Sequence, residues 1–185
     1  MSVGTQRRPI NVRPSGLLFR LCIGLLIANY FSPSNPARAE RVTIVALGAS
    51  NTVGRGGTSY PAELEALLKA KGYDVRVINA GVNGDTTAGM AARLDSAVPN
   101  GTRLVLLNPA NRNDEKAGIR GQQPAYIAQI RSRLAARGIK VIVLPSIVSM
   151  VGTAHHTDSE HFDAESYRRV AVRVLPQVLK TIGPP

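Results

Sequence analysis

The sequence predicts an α/β protein: a parallel sheet covered by helices on both faces, in a three-layer α/β/α sandwich. Two observations carry this. Short, nearly continuous β-branched and apolar runs recur along the chain, as a strand buried on both faces requires. Between them lie segments with apolar residues at three- and four-residue spacing, and that alternation of strand and helix patterns belongs to parallel sheets.

The elements follow in order. Val42–Leu47 reads as the first strand, followed by a Gly-rich loop from Asn51 to Gly57. A helix from about Tyr60 to Lys71 puts Leu64, Leu67 and Leu68 on one face, and Gly72 ends it. Asp74–Ile78 forms the second strand, with a loop from Asn79 to Asp85 and a helix from about Thr86 to Ser96. Arg103–Leu107 is the third strand and Asn108 to Gly118 a polar loop. Gln122 to Arg137 is a helix with Ile127, Ile130 and Leu134 on one stripe; Gly138 closes it before the fourth strand, Ile139–Leu144. The loop from Pro145 to His161 leads to a last helix, about Ala164 to Leu179. Functional residues in such sheets collect at the carboxyl ends of the strands. The loops after strands one, two and three, and the loop before the last helix, therefore open on one edge.

The first 39 residues have a different character. They carry five arginines (Arg7, Arg8, Arg13, Arg20, Arg38), no acidic residue, an apolar stretch from Leu21 to Phe31, and Ala37-Arg38-Ala39 at their end. A basic start, an apolar centre of about 7–15 residues and an Ala-x-Ala site describe a secretory signal peptide, expected to be cleaved after Ala39. The apolar run is well short of the ~20 residues that span a bilayer. The expected organisation is a signal peptide over 1–39 and one domain over 40–185, periplasmic or secreted, with no stable membrane anchor after cleavage. Of the 23 basic residues, 18 remain in that domain against 12 acidic ones, a net charge of +6 rather than +11. Its arginines are scattered along helical faces and its aromatics are few, unlike the basic stripe and stacking aromatics of a nucleic-acid binder. The only cysteine, Cys22, lies in the signal segment, so the domain has no disulfide, thiol nucleophile or thiolate metal site.

Two segments carry the chemistry. Gly48-Ala49-Ser50-Asn51 puts a serine hydroxyl on a sharp turn after the first strand, and Asp158-Ser159-Glu160-His161 supplies an imidazole with a carboxylate three residues upstream. A serine hydroxyl becomes a competent nucleophile when such a base takes its proton, and a carboxylate holds the imidazole's tautomer. Singly, each residue has a plainer reading: Ser50 as a turn cap, Gly81 and Gly84 as turn glycines, Asn113 as an Asx-turn residue, His161 as a surface histidine. A metal site using His155 and His156 would need a converging third ligand that the sequence does not identify. The glycines of 48–57 lack the lysine and Ser/Thr of a phosphate-binding loop.

Four blocks in this order resemble the SGNH (GDSL-type) hydrolases. They are Gly48-Ala49-Ser50-Asn51-Thr52, then Asn79-Ala80-Gly81-Val82-Asn83-Gly84-Asp85-Thr86, then Asn113-Asp114 within 109–118, and Asp158-Ser159-Glu160-His161. Tyr60-Pro61 and the helix carrying Tyr167 also fit. The resemblance implies a flavodoxin-like parallel sheet of four to five strands. It implies Ser50 as nucleophile, His161 as base, Asp158 as its orienting carboxylate, and an oxyanion hole from the N–H of Ser50, the N–H of Gly84 and the side-chain amide of Asn113. No cofactor and no metal are implied.

Three departures stand out. Ala49 replaces the family's usual acidic residue before the serine. An extra residue in the third block makes Asn111 a rival to Asn113, which is preferred because it keeps the Asn-Asp pair and the spacing to Gly118. Only 13 residues, Pro145 to Thr157, precede Asp158, which implies four strands or a very short fifth and an open acyl pocket. The expected activity is that of an esterase or thioesterase on small-molecule acyl esters, resembling compact bacterial arylesterases and acyl-CoA thioesterases. The alternatives are a carbohydrate O-deacetylase of the cell envelope and a catalytically silent binding protein on the same fold.

Overall fold

The computed structural model describes residues 41–151 and 162–185, together with Met1 and Gly4. The chain divides into two units, Met1–Arg38 and Ala39–Pro185, and every described strand and helix belongs to the second. The expectation of a signal peptide over 1–39 falls outside the described residues.

The strands are β1 (Val42–Gly48), β2 (Val75–Gly81), β3 (Thr102–Leu107) and β4 (Lys140–Val143), all parallel, in the order β2-β1-β3-β4. This is the flavodoxin-like arrangement, and helices cover both faces as expected. On β1, Ile44, Val45, Ala46 and Leu47 are all fully buried. Successive side chains point to opposite faces, so Ile44 and Ala46 enter one core and Val45 and Leu47 the other. The first core is filled by α2 (Tyr60–Ala70), α7 (Ile147–Val151) and α8 (Ala164–Ile182), through Leu64, Leu68, Met150, Val170 and Val174 among others. The second is filled by α3 (Thr87–Ala92), α4 (Leu94–Ala97) and α6 (Gln123–Ala136), through Met90, Leu94, Ile130 and Leu134.

Several expected boundaries move. The Gly-rich loop begins with one helical turn, α1 (Ser50–Val53). β2 runs on through Asn79, Ala80 and Gly81, because these pair with Ala46, Leu47 and Gly48 of β1. The expected helix over 86–96 is two short helices with Arg93 between them. The polar loop over 108–118 contains α5 (Asn111–Lys116). The last helix continues to Ile182 with Pro176 inside it. Proline removes a donor to the residue four back, here Val172, which lies on the exposed face at 49% accessibility, where water can serve the carbonyl.

Among the described residues no helix is long and apolar enough to cross a membrane.

Candidate active site

In the order β2-β1-β3, chain connections leave β1 towards opposite sides of the sheet, and ligands bind at the carboxyl ends of strands at such a switch point. Ser50 follows β1 there as the first residue of α1. The turn is closed by bonds from Thr52 N and Val53 N to the Ala49 carbonyl, at 2.9 and 3.1 Å, and from Gly54 N to the Ser50 carbonyl at 3.0 Å. Below it Thr52 is fully buried and its hydroxyl accepts from Asn108 Nδ2 at 3.1 Å, tying the end of β1 to the residue after β3. On the other side α1 lies against the end of β2. A Cβ at Gly81 would sit 2.4 Å from the Val53 nitrogen, so only glycine allows that approach.

The loop after β2 turns tightly at Gly84, where φ is +73°. A left-handed φ strains any residue with a Cβ, and that is the requirement for glycine here, since a Cβ would meet nothing within 4 Å. Two bonds fix the loop: Asp85 N donates to the Val82 carbonyl at 3.2 Å, and Val82 N to the Gly48 carbonyl at 3.1 Å.

Asn113 lies on α5, half-buried, and its Nδ2 donates to the Asp85 carbonyl at 2.7 Å. That occupies one of two amide hydrogens. Next to it Asp114 is fully buried and anchors α5. Its carboxylate accepts from Thr87 N at 2.7 Å, Thr87 Oγ1 at 2.6 Å and Gln123 Nε2 at 2.6 Å. Asn111 is oriented otherwise: its Oδ1 accepts from the Arg120 guanidinium.

Ser50, Gly84 and Asn113 therefore come from three loops and line one cleft of about 810 Å³, with Asn83 and Thr86 and with the cationic Arg55 and Lys116 at its wall. A smaller hollow of about 190 Å³ shares Ser50 and Asn113 and continues past Asn111 to Ile147 and Val148. Asp158 and His161 lie outside the described residues. Tyr60 is fully buried; burial pushes its phenol above the ordinary range and outweighs the opposing influence of the Thr52 hydroxyl, which rules it out as a base at neutral pH. Among the described residues no group of His, Cys, Asp and Glu could hold a metal ion.

The sequence reading missed a second layer of residues. Arg93 donates from Nε to Asp85 Oδ2 at 2.7 Å and from one terminal nitrogen to the carbonyls of Ala80 and Gly48, at 2.9 and 3.1 Å. Asp85 and Arg93 are eight residues apart, too far for the local i,i+4 pairing of helical charges, and Arg93 read as part of a solvated helix face. In the sequence Asp114 stands out only as the neighbour of Asn113. A carboxylate inside an otherwise polar stretch gives no sign in the sequence that it will be buried.

This geometry defines a class: a doubly wound α/β protein with a serine at the switch point and residues of the neighbouring loops, Gly84 and Asn113, lining the same cleft. The chain belongs to the GDSL-like lipase/acylhydrolase family, whose sequence model matches residues 46–183. Esterase TesA of Pseudomonas aeruginosa is 31% identical over 133 residues, covering 69% of this chain and 62% of that protein. The chain thus spans somewhat less than two thirds of that curated relative's length. A crystal structure of TesA superposes with a TM-score of 0.65 at 24% identity, covering 75% of this chain and 99% of that one. AlinE4, an SGNH-hydrolase family esterase, superposes with a TM-score of 0.57 at 24% identity, covering 78% and 98%. At these identities the two structures establish the shared fold, the one expected from the sequence.

Proposed function

We propose that the protein is an exported serine esterase or thioesterase that hydrolyses small acyl esters through a Ser50–His161–Asp158 triad. The observation that carries this reading is the meeting of Ser50, Gly84 and Asn113, from three separate loops, on one cleft at the carboxyl edge of the sheet. In the proposed reaction His161 takes the proton of Ser50 Oγ as the oxygen attacks the substrate carbonyl carbon. Asp158 holds the imidazole and balances its positive charge. The carbonyl π electrons move to oxygen, and the resulting oxyanion is held by the N–H groups of Ser50 and Gly84 and by the second amide hydrogen of Asn113. Collapse breaks the bond to the leaving alcohol or thiol, which takes its proton from His161. Water then attacks the acyl-enzyme with the same groups reversed, releasing the carboxylic acid and restoring Ser50.

Export rests on the composition of residues 1–39, and the same machinery would serve a carbohydrate O-deacetylase. The test is hydrolysis of p-nitrophenyl acetate by the purified protein, repeated with Ser50→Ala and with an acetylated oligosaccharide. Loss of at least about 10³-fold in kcat is expected for Ser50→Ala. Equal rates in the two proteins would remove the hydrolase reading, and absence of any activity or fluorophosphonate labelling in the folded wild type would favour a silent binding protein.

A further inference from the structure

The three donors proposed for the oxyanion hole sit on three loops far apart in the sequence, yet a transition-state charge needs them held together. Each of the three segments is tied, directly or through a neighbouring residue, to one ion pair, Arg93–Asp85. Asp85 directly follows Gly84, and its carbonyl takes the Asn113 amide at 2.7 Å. The Arg93 guanidinium grips the Asp85 carboxylate and, with the same side chain, the carbonyl of Gly48, two residues before Ser50. Its third contact, to the Ala80 carbonyl, fixes the end of β2.

We propose that Arg93 is a positioning residue that sets the spacing of the oxyanion hole, with Asp85 as the joint through which it acts. This rests on the functional reading above. Two features mark the pair as more than a surface contact. The Arg93 side chain is 23% exposed and that of Asp85 only 9%, and charged groups are rarely so far withdrawn unless paired and hydrogen-bonded. The carboxylate's second oxygen is also seated: Oδ1 accepts from Thr86 N at 2.8 Å, and a Cβ at Gly89 would sit 2.0 Å from that oxygen. The helix start gives way to the carboxylate.

The planar fork is what the arrangement uses. Nε serves the carboxylate while a terminal nitrogen reaches two carbonyls on neighbouring strands, and a lysine ammonium has no such fixed geometry. Arg93→Lys should therefore keep the charge and lose the spacing. Turning Asn113 by breaking its bond to Asp85 would remove its remaining hydrogen from the oxyanion position, where small misplacements are costly.

The test compares wild type, Arg93→Lys, Arg93→Ala, Asn113→Ala and Arg93→Ala/Asn113→Ala on p-nitrophenyl acetate, in the full chain. Expected are a loss of about 10- to 100-fold in kcat for Arg93→Ala with KM within about threefold, and partial return of kcat on adding guanidinium ion at millimolar concentration. Affinity for a boronic-acid transition-state analogue should fall in parallel with kcat/KM. The double variant should lose less than the product of the two single losses, because residues acting through one hole are non-additive. Fully multiplicative losses, or a kcat per folded molecule in Arg93→Lys equal to wild type, would overturn the proposal while Ser50→Ala remained inactive. An active Ser50→Ala would instead overturn the functional reading beneath it. If Arg93→Ala does not fold, Arg93→Lys and the analogue affinity decide alone.

Discussion

Removing the buried carboxylate of Asp114 is expected to cost more stability than removing any surface ion pair. Alanine at 114 deprives Thr87 N, Thr87 Oγ1 and Gln123 Nε2 of their acceptor at once. Thr87 is fully buried and Gln123 only 7% exposed, so solvent does not step in. Gln123 Nε2 already lies 3.4 Å from Thr87 Oγ1 and can fall back on that contact. Two donors are then left orphaned, at about 1–3 kcal/mol each. Part of this is offset, because a buried charge no longer has to be desolvated. The net expectation is a loss of about 2–4 kcal/mol. Asp95 is the control: its side chain is 76% exposed where it meets Arg133, and such pairs contribute within about 1 kcal/mol. Urea unfolding followed by far-UV circular dichroism reads both. With a slope of about 2 kcal/mol/M, the midpoint should fall by about 1–2 M for Asp114→Ala and by less than about 0.5 M for Asp95→Ala. An Asp114→Ala midpoint within about 0.3 M of wild type would refute the reasoning, since the three donors would then have found partners elsewhere.

Three further outcomes are expected. Asn113→Ala should lower kcat by about 10²–10³-fold while Asn111→Ala stays within a few-fold; the reverse order would move the amide donor to Asn111. Gly81→Ala should destabilise by about 1–3 kcal/mol, because the new methyl group meets backbone atoms of Thr52 and Val53, which cannot swing away, as well as the Val53 side chain; an unchanged melting temperature would contradict this. Glu65 gives a pH signature. Burial alone would raise its carboxyl, but the hydrogen bonds from Lys69 and Val77 N and the charges of Lys69 and Arg76 outweigh that and hold it below its ordinary value of 4.5. A carboxyl depressed in this way adds stability that is present above the ordinary value and lost as pH falls through the lowered one. Glu65→Gln should therefore be less stable at pH 7 by no more than about 1 kcal/mol, since its ion pair with Lys69 is largely exposed, with the gap closing on acidification below pH 4.5; a gap that stays constant down to pH 3 speaks against the assignment.

The parts of the fold that were legible in the sequence are those whose burial is written in consecutive apolar residues. β1 is the clearest, since both of its faces are covered. The last three residues of β2, Asn79 to Gly81, have no strand character of their own and become strand by pairing with β1. α5 is a polar stretch without helical periodicity, and the contacts that hold it, from Asp114 to α3 and α6, are made with distant residues. At the site, Ser50, Gly84 and Asn113 stand in the ordered blocks of the sequence, and all three line one cleft. The Arg93–Asp85 pair was not legible, because nothing in a helical pattern distinguishes an arginine that reaches into solvent from one that folds back over strand ends. The roles of Asp158 and His161 continue to rest on the sequence.

The packing of α8 against α2 has a consequence for how the chain folds. Tyr60, Leu64 and Leu68 near the start of the domain share their core with Val170, Val174, Val178 and Ile182 at its end, and the Tyr73 hydroxyl donates to the Gly183 carbonyl at 2.9 Å. One face of the sheet therefore stays open until the final twenty or so residues have been synthesised, and contacts of such long sequence separation form slowly. A nascent or truncated chain ending before α8 presents the bare apolar side of α2 and β1 to its surroundings. Exposed apolar surface of this kind favours aggregation, and this core is complete only once the carboxyl-terminal helix is in place.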